Sequence, residues 1–103
     1  MVETVTRKRI EILVDTPLVP RIVRHIKAAG ISGWSVIHVD SGGGREGEWQ
    51  HDEVSGAATK TIILAIANAA KSATLVDALQ PLLDSHGLLL TVGEVEVVRG
   101  DRF

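Results

Sequence analysis

The chain has 103 residues, which is enough for one domain with a single hydrophobic core. Its content is 45% hydrophobic and 23% charged, which indicates a globular protein and excludes a disordered one. The net charge of −2 argues against a nucleic-acid-binding protein, and the lack of cysteine excludes disulfides, thiolate metal sites and cysteine nucleophiles.

The sequence carries no sign of a membrane or secreted protein. The amino-terminal stretch MVETVTRKRIEILVD lacks the apolar run of a signal peptide. No apolar stretch reaches the roughly 18 residues that a membrane-spanning helix needs. The sequence therefore predicts a cytoplasmic protein that does not insert into membranes.

The first strand and the first helix have clear periodic patterns. In KRIEILVD, residues 8–15, every second residue from Ile10 to Val14 is aliphatic, which predicts a half-buried strand. From Leu18 onward, aliphatic residues recur at helical spacing opposite a basic face, which predicts an amphipathic helix over 19–29. Pro20 suits its first turn, and Gly30 suits the position just after its end.

Three further stretches predict strands. WSVIHVD at 34–40 and TKTIILAIAN at 59–68 are rich in β-branched residues and should form the second and third strands. LLLTVGEVEVVRG at 88–100 should form the last strand. The long segment between the second and third strands is then a loop.

The second helix is predicted by an apolar stripe that ends before Gly87. Ser72 or Thr74 is expected to cap its amino terminus, since Thr74 and Asp77 have the spacing of a capping box. Pro81 should kink or split this helix, because an interior proline costs about 3 kcal/mol. Gly87 should end it.

The order of elements predicts the fold class. It is α+β, a ferredoxin-like βαββαβ sandwich with two helices on one face of a four-stranded antiparallel sheet.

The third strand is apolar on both sides. Its two alternating sets are Ile62, Leu64 and Ile66 on one side and Ile63, Ala65 and Ala67 on the other. Because two helices cover one face only, the open face should pack against other copies in a homo-oligomer.

The segment 41–56 is polar and rich in glycine. Ordering each backbone residue costs on the order of 1–2 kcal/mol, so this loop should be flexible until something binds it. Its glycines can direct backbone N–H groups toward an anion, and Arg45 offers a planar charged group suited to phosphate or carboxylate. A solvated loop without a ligand is the alternative. The G-x-G-x-x-G pattern that starts at Gly42 is not a dinucleotide fingerprint, because no helix opens at its third glycine.

Trp49 and the histidines are the other candidate functional residues of this region. A large aromatic in a charged loop suits an anchor for a partner, or a side chain that folds back onto its own oligomer. His51, Asp52 and Glu53 have metal-ligand chemistry, but charged loops carry such triplets for solubility, and no metal site is expected. His38 should be a packed or interface residue. No nucleophile elbow and no well-held Ser-His-Asp set is present, so no catalytic residue is predicted.

Two stretches carry a resemblance to a known family. AAGISGWSVIHVDSGGGREG leads into the loop, and HGLLLTVGEVEVVRG forms the last strand. With the β-α-β-long loop-β-α-β plan, they resemble the PII signalling superfamily over residues 8–103. The likeness is strongest to PII-like proteins of inorganic-carbon systems, namely the carboxysome-associated PII proteins and the bicarbonate-transporter regulators.

This resemblance implies a non-enzymatic signalling protein. It implies a homotrimer whose sheets pack inward, an adenine nucleotide in each cleft between subunits, and a T-loop at 41–56 that engages a protein partner, a transporter or a carbon-fixation component. The nucleotide-binding residues that it implies, with two added cationic candidates in Lys60 and Arg102, are Gly33, Ser35, Gly44, Arg45, Lys60, Gly87, Leu88, Arg99 and Arg102. Trp49 is the expected partner-binding residue.

Departures from the family pattern narrow the expected ligand. DSHGLLL lacks the lysine-bearing, glycine-rich B-loop of the nitrogen-sensing members, so a third phosphate would lose a partner worth about 1.5–3 kcal/mol. ADP or AMP is therefore expected rather than ATP, with bicarbonate as a second anion beside Arg45. The absence of tyrosine excludes uridylylation of the loop, and Ile37 in place of a glutamine argues against 2-oxoglutarate sensing.

Two other functions fit parts of the same pattern. A small ferredoxin-like oligomeric enzyme would use 41–56 as a lid and His38 or His51 as an acid–base group. A metal-responsive trimer resembling the CutA branch would bind copper or zinc through His51 and its acidic neighbours.

Overall fold

A computed structural model describes residues 2–44, 47–50 and 59–98. These described residues form six strands, two α-helices and one short 3-10 helix that leads into the first α-helix. The elements are β1 (Thr4–Asp15), the 3-10 helix (Thr16–Leu18), α1 (Val19–Ala28), β2 (Gly33–Val39), β3 (Ser41–Gly44), β4 (Gly47–Gln50), β5 (Lys60–Ala67), α2 (Ala69–His86) and β6 (Leu89–Val98).

The main sheet has the predicted ferredoxin-like topology. Its four strands lie in the order β2-β5-β1-β6, and every neighbouring pair is antiparallel. On the central strand β1, Ile12 lies opposite Ile63 of β5 and Leu90 of β6. The α+β fold class is confirmed, and each half of the chain contributes one edge strand, one central strand and one helix.

The core lies between the helices and one face of the sheet. The aliphatic set predicted for β1, from Ile10 to Val14, is buried there, and so is one of the two sets of β5. The buried apolar residues are Ile10, Ile12, Val14, Ile22, Ile26, Ile31, Ile63, Ala65, Ala67, Leu75, Leu79 and Leu82. Thr61 is buried beside them, and its hydroxyl shares a 3.0 Å hydrogen bond with that of Thr16.

Helix α1 begins and ends where the sequence predicts. Pro20 lies in its first turn, where a missing N–H costs nothing because that group has no partner inside the helix. Ile22 and Ile26, one turn apart, face the core. Gly30 follows the helix with a φ of 78°, a backbone conformation that suits glycine.

The amino terminus of α2 differs from the prediction. The helix begins at Ala69, and Asn68 caps it by accepting a 2.9 Å hydrogen bond from the backbone N–H of Lys71. Ser72 and Thr74 are not caps: Ser72 is buried inside the helix, and the Thr74 hydroxyl donates to the Ala70 carbonyl at 3.1 Å. Asn68 was not predicted as the cap because the apolar pattern of the preceding strand continues to Ala67, its direct neighbour.

Pro81 does not split α2, which continues to His86. A proline here leaves the carbonyl of Asp77, one turn earlier, without its helical donor. Asp77 lies on the exposed side of the helix, where water can bond to that carbonyl. Gly87 ends the helix in a left-handed conformation with a φ of 60°, as predicted.

Part of the predicted loop is a separate hairpin. Strands β3 and β4 pair antiparallel, with Ser41 opposite Gln50 and Gly44 opposite Gly47. The expectation of a loop without regular structure at 41–56 is therefore wrong for 41–44 and 47–50. Gly47 has a φ of 113°, which lets the chain reverse direction between the two strands. Residues 51–56 lie outside the described residues.

Candidate functional site

Among the described residues, nothing covers the face of the sheet away from the helices, and this face carries a row of aliphatic side chains. The pairing register aligns one aliphatic residue from each strand in a continuous row, and the members of this aliphatic row are Ile37, Ile62, Leu13 and Leu89. At its ends, Ile37 is 47% exposed and Leu89 is 58% exposed. A contiguous apolar strip of this kind typically marks an interaction surface. The two-sided pattern predicted for β5 is thus confirmed by its alternation of buried and half-buried residues.

One end of the main sheet gathers the hairpin and a cationic group. Strands β1 and β2 end here, while β5 and β6 begin here. We refer to it as the hairpin end. Lys60, the first residue of β5, forms an ion pair with Asp15, the last residue of β1. Its ammonium group also lies 5.5 Å from the centre of the Trp49 ring, a cation–π distance.

Trp49 packs on its own hairpin. It is paired with Gly42 across the two strands, and a Cβ atom added at Gly42 would lie 2.5 Å from Cζ2 of the indole. The same ring lies 3.4 Å from a Cβ position at Gly44. Glycine is required at position 42 because the ring occupies the space of a side chain. The Trp49 Nε1–H is buried and has no hydrogen-bond partner among the described residues.

Hydrogen bonds connect the hairpin to the sheet. The Thr59 hydroxyl donates to the Gln50 carbonyl at 2.8 Å, at the end of β4. The Thr59 carbonyl in turn accepts from the backbone N–H of Thr16 at 3.1 Å, where the chain leaves β1.

The hairpin itself carries an open, concave pocket with a volume of about 640 Å³. It is lined by Ser41, Gly42, Gly43, Glu48, Trp49 and Gln50.

The predicted nucleotide-binding residues that the structure describes lie at different ends of the sheet. Lys60, Gly87 and Leu88 lie at the hairpin end, since Leu88 immediately precedes β6. Gly33 lies at the opposite end, opposite Ile66. Ile66 is six positions after Lys60 on β5, which is roughly 20 Å along the strand at 3.3 Å per residue.

The other predicted positions divide into two groups. Ser35 lies near the middle of β2 on the uncovered face, and Gly44 ends β3 in the hairpin. Arg45, Arg99 and Arg102 lie outside the described residues. So do the histidine and acidic neighbours at 51–53, on which the metal-responsive alternative depended.

Sequence reasoning missed Asp15 as the partner of Lys60. A signal was available, because the first and third strands of a ferredoxin-like sheet are antiparallel neighbours. The carboxyl end of β1 must then meet the amino end of β5, which places Asp15 beside Lys60. The contact of Trp49 with Gly42 had no such signal, since it depends on the hairpin register.

Neither a metal cluster nor a membrane helix is found in the part of the chain that the structure describes. No three His, Asp or Glu side chains within 2–44, 47–50 and 59–98 are grouped to hold a metal ion. Over the same ranges, no helix is both long and apolar enough to cross a membrane.

Solved structures of PII-like proteins share this fold. The chain superimposes on CPII from Thiomonas intermedia K12, bound to ADP, AMP and bicarbonate, with a TM-score of 0.90 and 19% identity, covering 100% of this chain and 98% of that one. The apo form of CPII gives a TM-score of 0.75 at 15% identity, with 94% and 97% covered. A PII-like protein from Thermus thermophilus gives 0.78 at 19% identity, with 98% of each chain covered.

Family-level similarity covers almost the whole chain. No curated protein matches the sequence significantly. The family model for nitrogen regulatory protein P-II, however, matches residues 7–102. This range includes every strand and helix of the main sheet and the hairpin, apart from the first residues of β1. The chain therefore belongs to the nitrogen regulatory protein P-II family.

Proposed function

We propose that this protein is a non-enzymatic signalling protein that binds an adenine nucleotide between the subunits of a homotrimer. The nucleotide is ADP or AMP in preference to ATP, and bicarbonate is a second ligand. The segment 41–56 acts as the T-loop, and its contact with a protein partner regulates inorganic-carbon uptake or fixation. Membership of a regulatory family and the ligands of the similar CPII structure support this proposal.

The uncovered aliphatic row is the observation that carries the proposal. It gives each subunit an apolar surface that neighbouring copies can bury. The candidate residues also lie at opposite ends of the sheet, with Gly33 at one end and Lys60 at the other. A cleft between copies can combine the two ends from different subunits, whereas a single chain cannot.

The short connection before β6 supports a diphosphate or monophosphate over a triphosphate. Only Gly87 and Leu88 separate α2 from β6, and neither carries a charge. Lys60 is at the same end of the sheet, but its ammonium group already has a carboxylate partner in Asp15. A third phosphate would thus lack a free cation from this connection, and each charge-assisted bond is worth about 1.5–3 kcal/mol.

The hairpin supports the role of 41–56 as a responsive arm. Among the described residues, exposed or partly exposed groups connect it to the sheet, through the Thr59 hydrogen bond and the Lys60–Trp49 contact. Segments with few buried contacts open at low free-energy cost and serve as switches. Arg45, which follows Gly44 in the sequence, is the proposed cation for the phosphate and bicarbonate, and Trp49 is the proposed partner-binding residue.

Calorimetric titration tests the ligand assignment. ADP and AMP are expected to bind more tightly than ATP, and bicarbonate should change the nucleotide affinity. Arg45→Ala should weaken nucleotide binding about tenfold or more, since a charge-assisted pair is lost. Arg24→Ala, on the exposed side of α1, is the matched control and should leave the affinity unchanged.

The assembly is tested by sedimentation equilibrium of the unliganded protein. A trimer at micromolar concentration is expected. A chain that stays monomeric, or one that releases no heat with any nucleotide, contradicts the proposal.

A further inference from the structure

An ion pair interrupts the apolar surface of the uncovered face. Arg9 and Glu11 are two residues apart on β1, so both side chains lie on the side of the sheet away from the helices. The Arg9 Nη2 and Glu11 Oε1 atoms are 2.7 Å apart. The two side chains are 48% and 43% exposed, so both still reach solvent in the single chain.

Across the sheet, the neighbours of this pair on β5 are apolar, and those on β6 are a glycine and a threonine. In the pairing register, Arg9 lies opposite Ile66 of β5, and Glu11 lies opposite Leu64. On the other side, Arg9 lies opposite Gly93 of β6. A Cβ atom added at Gly93 would meet nothing within 4 Å, so the missing side chain leaves open space beside the arginine, which we call the recess.

Such a surface is complementary to itself. It presents a cation, an anion and a recess within one patch, next to the aliphatic row. A copy of the same surface can offer a carboxylate to the remaining guanidinium N–H groups of Arg9 and a side chain to the recess. A partner with one sign of charge would leave either Arg9 or Glu11 facing a like charge.

We propose that Arg9 and Glu11 form ion pairs with Glu11 and Arg9 of neighbouring copies and so fix the rotation at which the subunits pack. The inference rests on the proposed oligomer and assigns its specificity to these two residues. When copies cover the aliphatic row, the adjacent charges lose water and need every available partner. An alternating set of charges between copies supplies these partners, whereas a rotated arrangement would bring like charges together.

Sedimentation equilibrium of charge variants tests this inference, with a matched pair on the other side of the same strand. Glu11→Lys should weaken self-association about tenfold or more, because Arg9 then lies beside another cation in place of its carboxylate partner. The double variant Arg9→Glu with Glu11→Lys should recover most of the association, since the alternation of charge is restored in reverse. The control is Glu94→Lys. Glu94 forms a 3.0 Å pair with Lys8 on the helix side of the sheet, and its replacement should leave self-association unchanged.

A second variant probes the recess without changing charge. Gly93→Val should keep the fold, because the added side chain meets open space and valine suits a strand. It should weaken self-association about tenfold if a neighbouring copy occupies the recess.

The outcomes separate this inference from the proposed function. A wild-type protein that is monomeric overturns the proposed oligomer itself. If the wild type is oligomeric, three results overturn only the role of Arg9 and Glu11. Glu11→Lys associates as tightly as the wild type, Glu94→Lys associates as weakly as Glu11→Lys, or the double variant fails to recover association. Unchanged association of Gly93→Val overturns the role of the recess.

Discussion

The two faces of the main sheet have similar aliphatic content and different surroundings. On β5, the neighbours Ile62 and Ile63 are the same residue type. Ile63 points to the helices and is fully buried, whereas Ile62 points away and is only half-buried. The helix-covered face is completed within the described part of the chain, whereas no described residue covers the other face. An apolar residue can therefore stabilise either the fold or an assembly, depending on whether its own chain or a neighbouring molecule covers it.

The largest effect should come from a truncation on the helix-covered face. Ile63→Ala leaves a cavity in the core and should lower the free energy of unfolding by about 2–5 kcal/mol. Urea denaturation at several protein concentrations is the measurement. The loss should be the same at every concentration, because this residue is buried by its own chain.

Ile62→Ala, one residue away, is the matched control. Its destabilisation should shrink as the protein is diluted and the subunits separate. If the two variants show the same concentration dependence, the two faces do not differ as described.

A charge in the aliphatic row should separate the subunits without unfolding them. Leu13→Glu places a carboxylate in the middle of the uncovered face, opposite Ile62 and Leu89. Burying an unpaired charge is costly, so self-association should fall by about a hundredfold, or about 2.7 kcal/mol. Sedimentation should show monomers while circular dichroism stays unchanged. An intact oligomer would show that the aliphatic row is not an interface.

A smaller effect is expected in the helix layer. Asn68→Ala removes the cap of α2 and should lower the free energy of unfolding by about 0.5–2 kcal/mol. The effect should be independent of protein concentration, since the cap is remote from the uncovered face. Asn68→Asp retains an acceptor and should restore most of the loss. Equal losses in both variants would contradict the capping role.

The smallest effect on global stability should come from the hairpin, which belongs to neither face. Gly42→Ala places a methyl group where the Trp49 ring lies, so β3 and β4 must move apart. Hydrogen exchange of the amides in 41–44 and 47–50 should become faster, with little change in the main sheet. Gly43→Ala is the control, because its methyl group would lie at an ordinary 3.8 Å from Glu48 Cγ. Equal exchange in both variants would contradict the packing of Trp49 on Gly42.

Much of the fold could be predicted from short-range patterns. The alternation on β1, the helical stripe of α1 and the two-sided β5 each depend on one segment and its burial. The predicted cap of α2 was wrong because the true cap, Asn68, directly follows a strand and lacks the Ser/Thr-x-x-Glu spacing of a capping box. The hairpin was missed because Gly42 and Gly43 have no side-chain preference for strands, and its stability depends on Trp49 across the turn.

The candidate site could be predicted only in pieces. The sequence named Gly33 and Lys60, and the topology places them at opposite ends of the sheet. No local pattern could indicate that distance, since it follows from the pairing of β2 with β5. The pairing of Arg9 with Glu11 has no local signal either, because alternating charged side chains are ordinary on the solvent side of a half-buried strand.

The placement of the two tryptophans gives the molecule a built-in optical reporter. The chain has no tyrosine, so its near-ultraviolet emission comes almost entirely from two indoles. Trp34 lies in the main sheet with the Lys27 ammonium 5.8 Å from its ring, whereas Trp49 lies on the hairpin. Replacing Trp34 with phenylalanine leaves Trp49 as the single tryptophan. Its emission wavelength and quenching then report the conformation of the hairpin without any attached dye.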